Sequence, residues 1–197
     1  MSVYCLLDRS GSMASCVDDT IGGFNTFMKN QPSDTTISLT LFDNKIETLY
    51  TKLVKDAPLL DTKTFVPRGS TALFDSIGHV IKMVSVDEVP TIVILTDGFE
   101  NSSTKYTKFH INDLITEKKK LGWEFVFLAA NQDAIQAASD IGISESSAMT
   151  FSTETVADAF KGVSQAISRN RTGETQGVEF SPMERASSIG IKKNSTI

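Results

Sequence analysis

Leu6-Leu7-Asp8-Arg9-Ser10-Gly11-Ser12-Met13 decides how this chain folds. The apolar run Val3-Tyr4-Cys5-Leu6-Leu7 leads into it and ends abruptly in a carboxylate. An apolar run without polar alternation predicts a strand buried on both faces, as at the centre of a parallel sheet. Ligands of open parallel sheets sit in the crevice beyond the carboxyl ends of the strands, and Asp8 falls there. Ser10 and Ser12 follow at alternate positions, with Gly11 between them. A carboxylate and two hydroxyls are hard oxygen donors, the kind that Mg²⁺, Mn²⁺ or Ca²⁺ takes. Taken alone, such a Ser/Gly/Asp cluster also describes an ordinary turn.

Two further stretches change that balance. Gly69-Ser70-Thr71-Ala72-Leu73 opens an apolar-periodic helix, and Thr91-Ile92-Val93-Ile94-Leu95-Thr96-Asp97-Gly98 is a second apolar run ending in Thr-Asp-Gly. Three separate segments thus present hard oxygen donors at strand ends or a helix start. Their content and order, D-x-S-x-S, then a Thr, then T-D-G, resemble the metal-ion-dependent adhesion site (MIDAS) of the von Willebrand factor A (vWA) domain. The domain so identified spans 1–171. Phe24-Asn25, Gly69-Ser70-Thr71, Thr96-Asp97-Gly98 and Gly122-Trp123-Glu124-Phe125-Val126-Phe127 look most like small stand-alone A-domain proteins of bacteria and their phages.

Composition narrows the classes. At 197 residues, 40% hydrophobic and 22% charged, the chain reads as one ordinary globular domain with a sizeable core. A net charge of −5, from 19 basic and 24 acidic residues, argues against nucleic acid or an anionic membrane as the general partner. No stretch approaches the roughly 18 apolar residues that a membrane span needs. No basic segment with an apolar core and a small-residue cleavage site opens the chain, so the expected location is the cytoplasm. Cys5 and Cys16 then read as core thiols rather than a disulfide framework. The sequons at Asn101-Ser102-Ser103 and Asn194-Ser195-Thr196 carry no weight without secretion.

Periodicity places the other elements. A strand over 2–8 precedes a helix over 15–30, with Val17, Ile21, Phe24 and Met28 on one face and Gly22-Gly23 packed against the sheet. Residues 35–42 and 45–54 alternate as two strands about the Asp43-Asn44 turn, an antiparallel hairpin at a sheet edge. A loop over 55–68 leads to a helix over 72–85, then the strand over 91–96. A helix over 107–121 turns Ile111, Leu114, Ile115 and Leu121 inward, its lysine-rich end suiting the helix dipole. Strand 125–128, a short helix over 133–141, a weak strand over 148–151 and a helix over 155–169 complete the domain. Residues 172–197 lack sustained periodicity and are expected to form a flexible tail, unless Phe180, Met183, Ile189 and Ile191 pack on the domain. Strands alternating with helices imply an α/β, doubly wound, Rossmann-like and mainly parallel sheet with helices on both faces. The resemblance supplies six strands in the order 3-2-1-4-5-6.

Carried over residue by residue, the resemblance implies that Ser10, Ser12 and Thr71 give hydroxyl oxygens to a metal. Asp8 and Asp97 would bind it directly or through water. Mg²⁺ normally keeps several waters and few protein carboxylates, which suits this donor set; Mn²⁺ also fits, and Ca²⁺, wanting more oxygens, fits less well. In the family, an Asp or Glu of a protein partner completes the coordination. Arg9, Met13, Arg68, Phe99 and Glu100 are the candidates for partner contacts at the rim. The competing class is a Mg²⁺-dependent phosphotransferase or hydrolase using Asp8. Phosphotransferases of that kind carry D-x-D, whereas this chain has Ser10 at the second position, and it lacks a phosphate-binding glycine loop. His79 and His110 stand alone and support no zinc site.

Overall fold

The two continuous apolar runs lie side by side. In the computed structural model, which describes residues 1–130 and 134–191, β1 (Ser2–Asp8) and β4 (Thr91–Thr96) pair in parallel. Their register runs from Val3 opposite Thr91 to Leu7 opposite Leu95. With β2 (Thr36–Phe42), β3 (Ile46–Leu53), β5 (Glu124–Ala130) and β6 (Ala148–Phe151) they form one sheet in the order β3-β2-β1-β4-β5-β6. Only β3 runs antiparallel, at one edge. The predicted six-stranded, mainly parallel sheet is what forms.

Alternation along β1 assigns the two faces of the sheet. Val3, Cys5 and Leu7 join a core with Phe24 and Phe27 of α1 (Val17–Lys29) and Phe160 of α5 (Val156–Thr172). Tyr4 and Leu6 point the other way. They meet Ile77 of α2 (Leu73–Met83), Ile111 and Ile115 of α3 (Lys108–Lys120) and Ala138 of α4 (Ala134–Asp140). Every residue of β1 and β4 is buried, so both strands read as unbroken apolar runs. Each buried aliphatic side chain is worth about 1.5–3 kcal/mol, and these strands fix where Asp8 and Asp97 stand at their carboxyl ends.

Several local expectations differ in instructive ways. A 3₁₀ turn, Gly11–Ser15, precedes α1 and buries Met13. Gly23 packs α1 against α5 rather than the sheet: an added methyl would lie 2.8 Å from the Phe160 ring and 3.0 Å from Ala157 Cα. Leu121 is exposed because α3 ends at Lys120 and the chain turns at Gly122. The expected helix start at Asp133 and the Asn194-Ser195-Thr196 sequon lie outside the described residues.

The largest difference concerns the expected tail over 172–197. Helix α5 continues to Thr172, and a further helix, α6 (Pro182–Ser188), docks beside it and β6. Val178 and Phe180 are buried in the α1/α5 core, whereas Met183, Ile189 and Ile191 are exposed. Two isolated apolar residues make no period, and the other anchors are polar. Glu184 accepts two hydrogen bonds from Arg169, both 2.7 Å. Arg185 donates to the carbonyls of Glu145, Ser146 and Ala148, and the Ser188 hydroxyl donates to Thr150 O at 2.6 Å. Residues 192–197 lie outside the described residues.

Burial alone would push the Glu184 carboxyl up, but Arg169 and the Ser181 amide hold it below its ordinary value of 4.5. A carboxylate depressed on folding contributes stability that is fully present above its unfolded pKa and is lost as pH falls through the folded one. Glu184→Ala should lower the unfolding free energy at pH 7 by about 2 kcal/mol. Its deficit relative to the parent chain should shrink as denaturant melts are taken below about pH 4. A deficit that stays constant with pH would mean the ion pair does not hold α6.

Candidate metal centre

Asp8 is the last residue of β1 and is fully buried. Its Oδ1 accepts the Ser10 amide at 2.7 Å, which folds the chain back over the strand end. Its Oδ2 accepts the Thr96 hydroxyl at 2.6 Å from the neighbouring strand. The loop after Asp8 brings Ser10 Oγ within 3.1 Å of Ser12 Oγ. Ser12 in turn donates to Asp97 Oδ1 at 2.5 Å. Thr71 stands just before α2 and is 2% exposed.

Gly98 shows that all three segments converge. A methyl group built there would lie 3.1 Å from Thr71 Oγ1, 3.5 Å from Ser12 Oγ and 3.9 Å from Asp8 Oδ2. The structure therefore brings Asp8, Ser10, Ser12, Thr71 and Asp97 to one place, at the carboxyl ends of the two central strands. The space beside Gly98 is a cradle that any side chain would fill.

Electrostatics there favour a cation. Burial, with a smaller contribution from the nearby Asp97, pushes the Asp8 carboxyl up to about 6 against the hydrogen bonds of Thr96 and Ser10. Burial also pushes Asp97 up. Two carboxylates with three neutral hydroxyls form an all-oxygen set; among the described residues no group of three or more His, Cys, Asp or Glu is placed to hold a metal ion. A hard divalent ion fits such donors; a soft one, preferring sulfur, does not.

The loop after β4 clamps the Thr71 segment. Asn101 accepts the Thr71 amide at 2.9 Å and returns its own amide to Thr71 O at 3.0 Å. Glu100 accepts the Phe74 amide at 2.9 Å and Ser103 Oγ the Asp75 amide at 3.0 Å, so this loop caps α2. Asp75 reciprocates by accepting the amides of Thr104, Lys105 and Tyr106, each at 2.9 Å.

The rim differs from expectation. Met13 is fully buried beneath the 3₁₀ turn and cannot face a partner. Arg9 is 4% exposed, its guanidinium drawn inward to Asp43 at 3.0 Å and Glu47 at 2.8 Å. Glu100 is engaged in capping. Phe99, 69% exposed, and the half-exposed Arg68 remain at the surface. The sequence reading missed Thr96 and Asp43. Thr96 stood inside the quoted T-D-G motif but looked like a strand end. The histidines lie elsewhere, His110 capping α3 and His79 on α2 within 3.5 Å of Thr48.

No family model and no curated protein matches this sequence. Solved structures do resemble the fold. The vWF domain of the type V pili tip protein Mfa5 from Porphyromonas gingivalis aligns with a TM-score of 0.67 at 12% identity, over 89% of this chain and 96% of that one. A von Willebrand factor type A protein from Catenulispora acidiphila gives 0.60 at 12% identity, over 83% and 41%. Proximal thread matrix protein 1 of the mussel byssus, in a structure with a zinc-occupied MIDAS motif, gives 0.59 at 16% identity, over 84% and 45%. The chain spans less than half the length of these last two.

Thr96→Val, which keeps shape but removes the hydroxyl, should destabilise the chain in chelator by about 2 kcal/mol, because it strips a partner from a buried carboxylate. An unchanged melting temperature would mean that Thr96 does not hold Asp8.

Proposed function

We propose that this chain, which has the vWA fold, is a metal-dependent protein-binding module whose partner offers an Asp or Glu carboxylate. The observation that carries this reading is the convergence of five oxygen-bearing residues from three segments around Gly98. Ser10, Ser12 and Thr71 would give hydroxyl oxygens to Mg²⁺ or Mn²⁺, and Asp8 and Asp97 would take part directly or through water. The bound ion supplies a coordination position that a partner's carboxylate oxygen can occupy. Hydroxyls quench little of a dication's charge, so an incoming carboxylate gains a charge-assisted bond in a crevice partly shielded from water. The net charge of −5 opposes generally acidic partners, which leaves specificity to one carboxylate plus contacts from the surrounding loops. The mussel protein's zinc-occupied MIDAS motif supports a divalent ion at such a site in this fold.

The phosphotransfer alternative gains nothing from the surroundings of Asp8. Both oxygens of its carboxylate already accept hydrogen bonds, from the Ser10 amide and the Thr96 hydroxyl, which suits orientation better than nucleophilic attack.

Thermal melts test the metal reading. Saturating Mg²⁺ or Mn²⁺ should raise stability, by about 2.7 kcal/mol at one hundred times the dissociation constant, and chelator should reverse it. Asp8→Ala should abolish the shift, and so should Gly98→Ala, whose methyl enters the cradle. An Asp8→Ala chain with the same metal-dependent shift would sink the assignment. Once a partner is in hand, calorimetry should show binding that needs the ion and fails when one partner carboxylate becomes an amide. Equal affinity with and without chelator would refute the proposed interface.

A further inference from the structure

Asp43 lies where the sequence shows only a tight turn. It directly follows β2, whose last residue, Phe42, pairs with Asp8. That register sets Asp43 beside the Asp8–Ser12 loop. The side chain is fully buried. Its Oδ2 accepts Arg9 Nε at 3.0 Å and Arg68 Nε at 2.9 Å, and its Oδ1 accepts the Lys45 amide at 2.7 Å. Arg9 belongs to the loop that carries Ser10 and Ser12; Arg68 belongs to the loop that carries Thr71. One carboxylate thus ties together two of the three segments of the metal site.

Backbone bonds follow the same seam. Arg9 donates to Phe42 O at 2.7 Å and accepts the Arg68 amide at 2.8 Å. The Gly11 amide donates to Gly69 O at 3.2 Å, and the Ala72 amide to Asp43 O at 3.0 Å. Gly69 has a positive φ of 67°, and a Cβ there would fall 2.5 Å from Asn44 Oδ1. The Thr71 loop thus packs on the 43–44 turn at Gly69, in a left-handed conformation that favours glycine.

We infer that Asp43 is a positioning residue for the metal site, holding the Ser10/Ser12 loop and the Thr71 loop in register through Arg9 and Arg68. The inference rests on the metal reading above and adds the device that sets its geometry. Three hydroxyls on two separate loops converge only while the loops keep their spacing. The shared carboxylate fixes that spacing, and it also neutralises guanidinium charge that would otherwise face an incoming cation.

Mn²⁺ binding to the full chain, read from the free-ion EPR signal, tests this together with hydrogen exchange in chelator. Asp43→Asn should raise the Mn²⁺ dissociation constant about tenfold or more, as loss of a ligand-orienting partner does elsewhere. Arg68→Gln separates positioning from charge. Removing a positive charge near a cation site would tighten binding if charge alone mattered, whereas loss of positioning should weaken it by about two- to threefold. Glu47→Gln, which changes an exposed carboxylate bonded to Arg9 Nη2 and leaves the Asp43 contacts in place, should leave the constant unchanged. Unchanged binding in Asp43→Asn, or tighter binding in Arg68→Gln, overturns the inference. Should Asp43→Asn fail to fold, Arg68→Gln decides, since its side chain is half exposed. In chelator, Asp43→Asn should speed exchange of the Gly11 and Ala72 amides by about tenfold. Unaltered protection there overturns the inference whether or not Mn²⁺ binds. Faster exchange in a chain whose parent binds no Mn²⁺ supports the lock between the loops and overturns the metal reading alone.

Discussion

Two carboxylates of like sign are held at the ends of adjacent strands, where neither can reach bulk water freely. Burial raises the energy of the charged forms of both Asp8 and Asp97, and the charge of Asp97 adds to the penalty on Asp8. The sheet enforces this placement, because each carboxylate terminates or directly follows a strand whose every residue is buried. Thr96, Ser10 and Ser12 supply the hydrogen bonds that oppose the penalty. Around this pair the surrounding loops are fixed from two sides. The 98–104 loop grips the Thr71 segment through backbone amides, and the 43–44 turn grips the other flank. The positions of these oxygens are thus set by hydrogen bonds within the chain itself.

What the sequence revealed of this arrangement follows from where its information is local. Asp8, Ser10 and Ser12 lie within five residues of each other, and Asp97 closes an apolar run, so hydrophobic patterning placed them. The strand order needed the resemblance, because periodicity says which segments are strands and not which are neighbours. Asp43 escaped notice because Asp-Asn is common turn chemistry, and its arginines lie 34 and 25 residues away. Nothing in the spacing announces a contact of that kind.

The misjudged rim residues share one cause. Arg9 and Met13 sit in a stretch of small polar residues that reads as surface. The 3₁₀ turn instead rotates Met13 into the core beside Cys16, while the strand register carries Arg9 to an internal acid. Helix α6 illustrates the converse. Its fixings are ionic and backbone-directed, so an amphipathic search finds no stripe although the segment is firmly attached.

The attachment of α6 bears on solubility. β6 is the outer strand of the sheet on its far side, and such an edge offers unpaired carbonyls and amides as a template for another chain. Arg185 and the Ser188 hydroxyl occupy the carbonyls of Ala148 and Thr150, alternate residues along that edge. The segment after α5 thus acts as a guard rail against strand-to-strand association. A chain cut after residue 171 would lose this cover together with the buried Val178 and Phe180, and would leave the β6 edge open to a neighbouring strand.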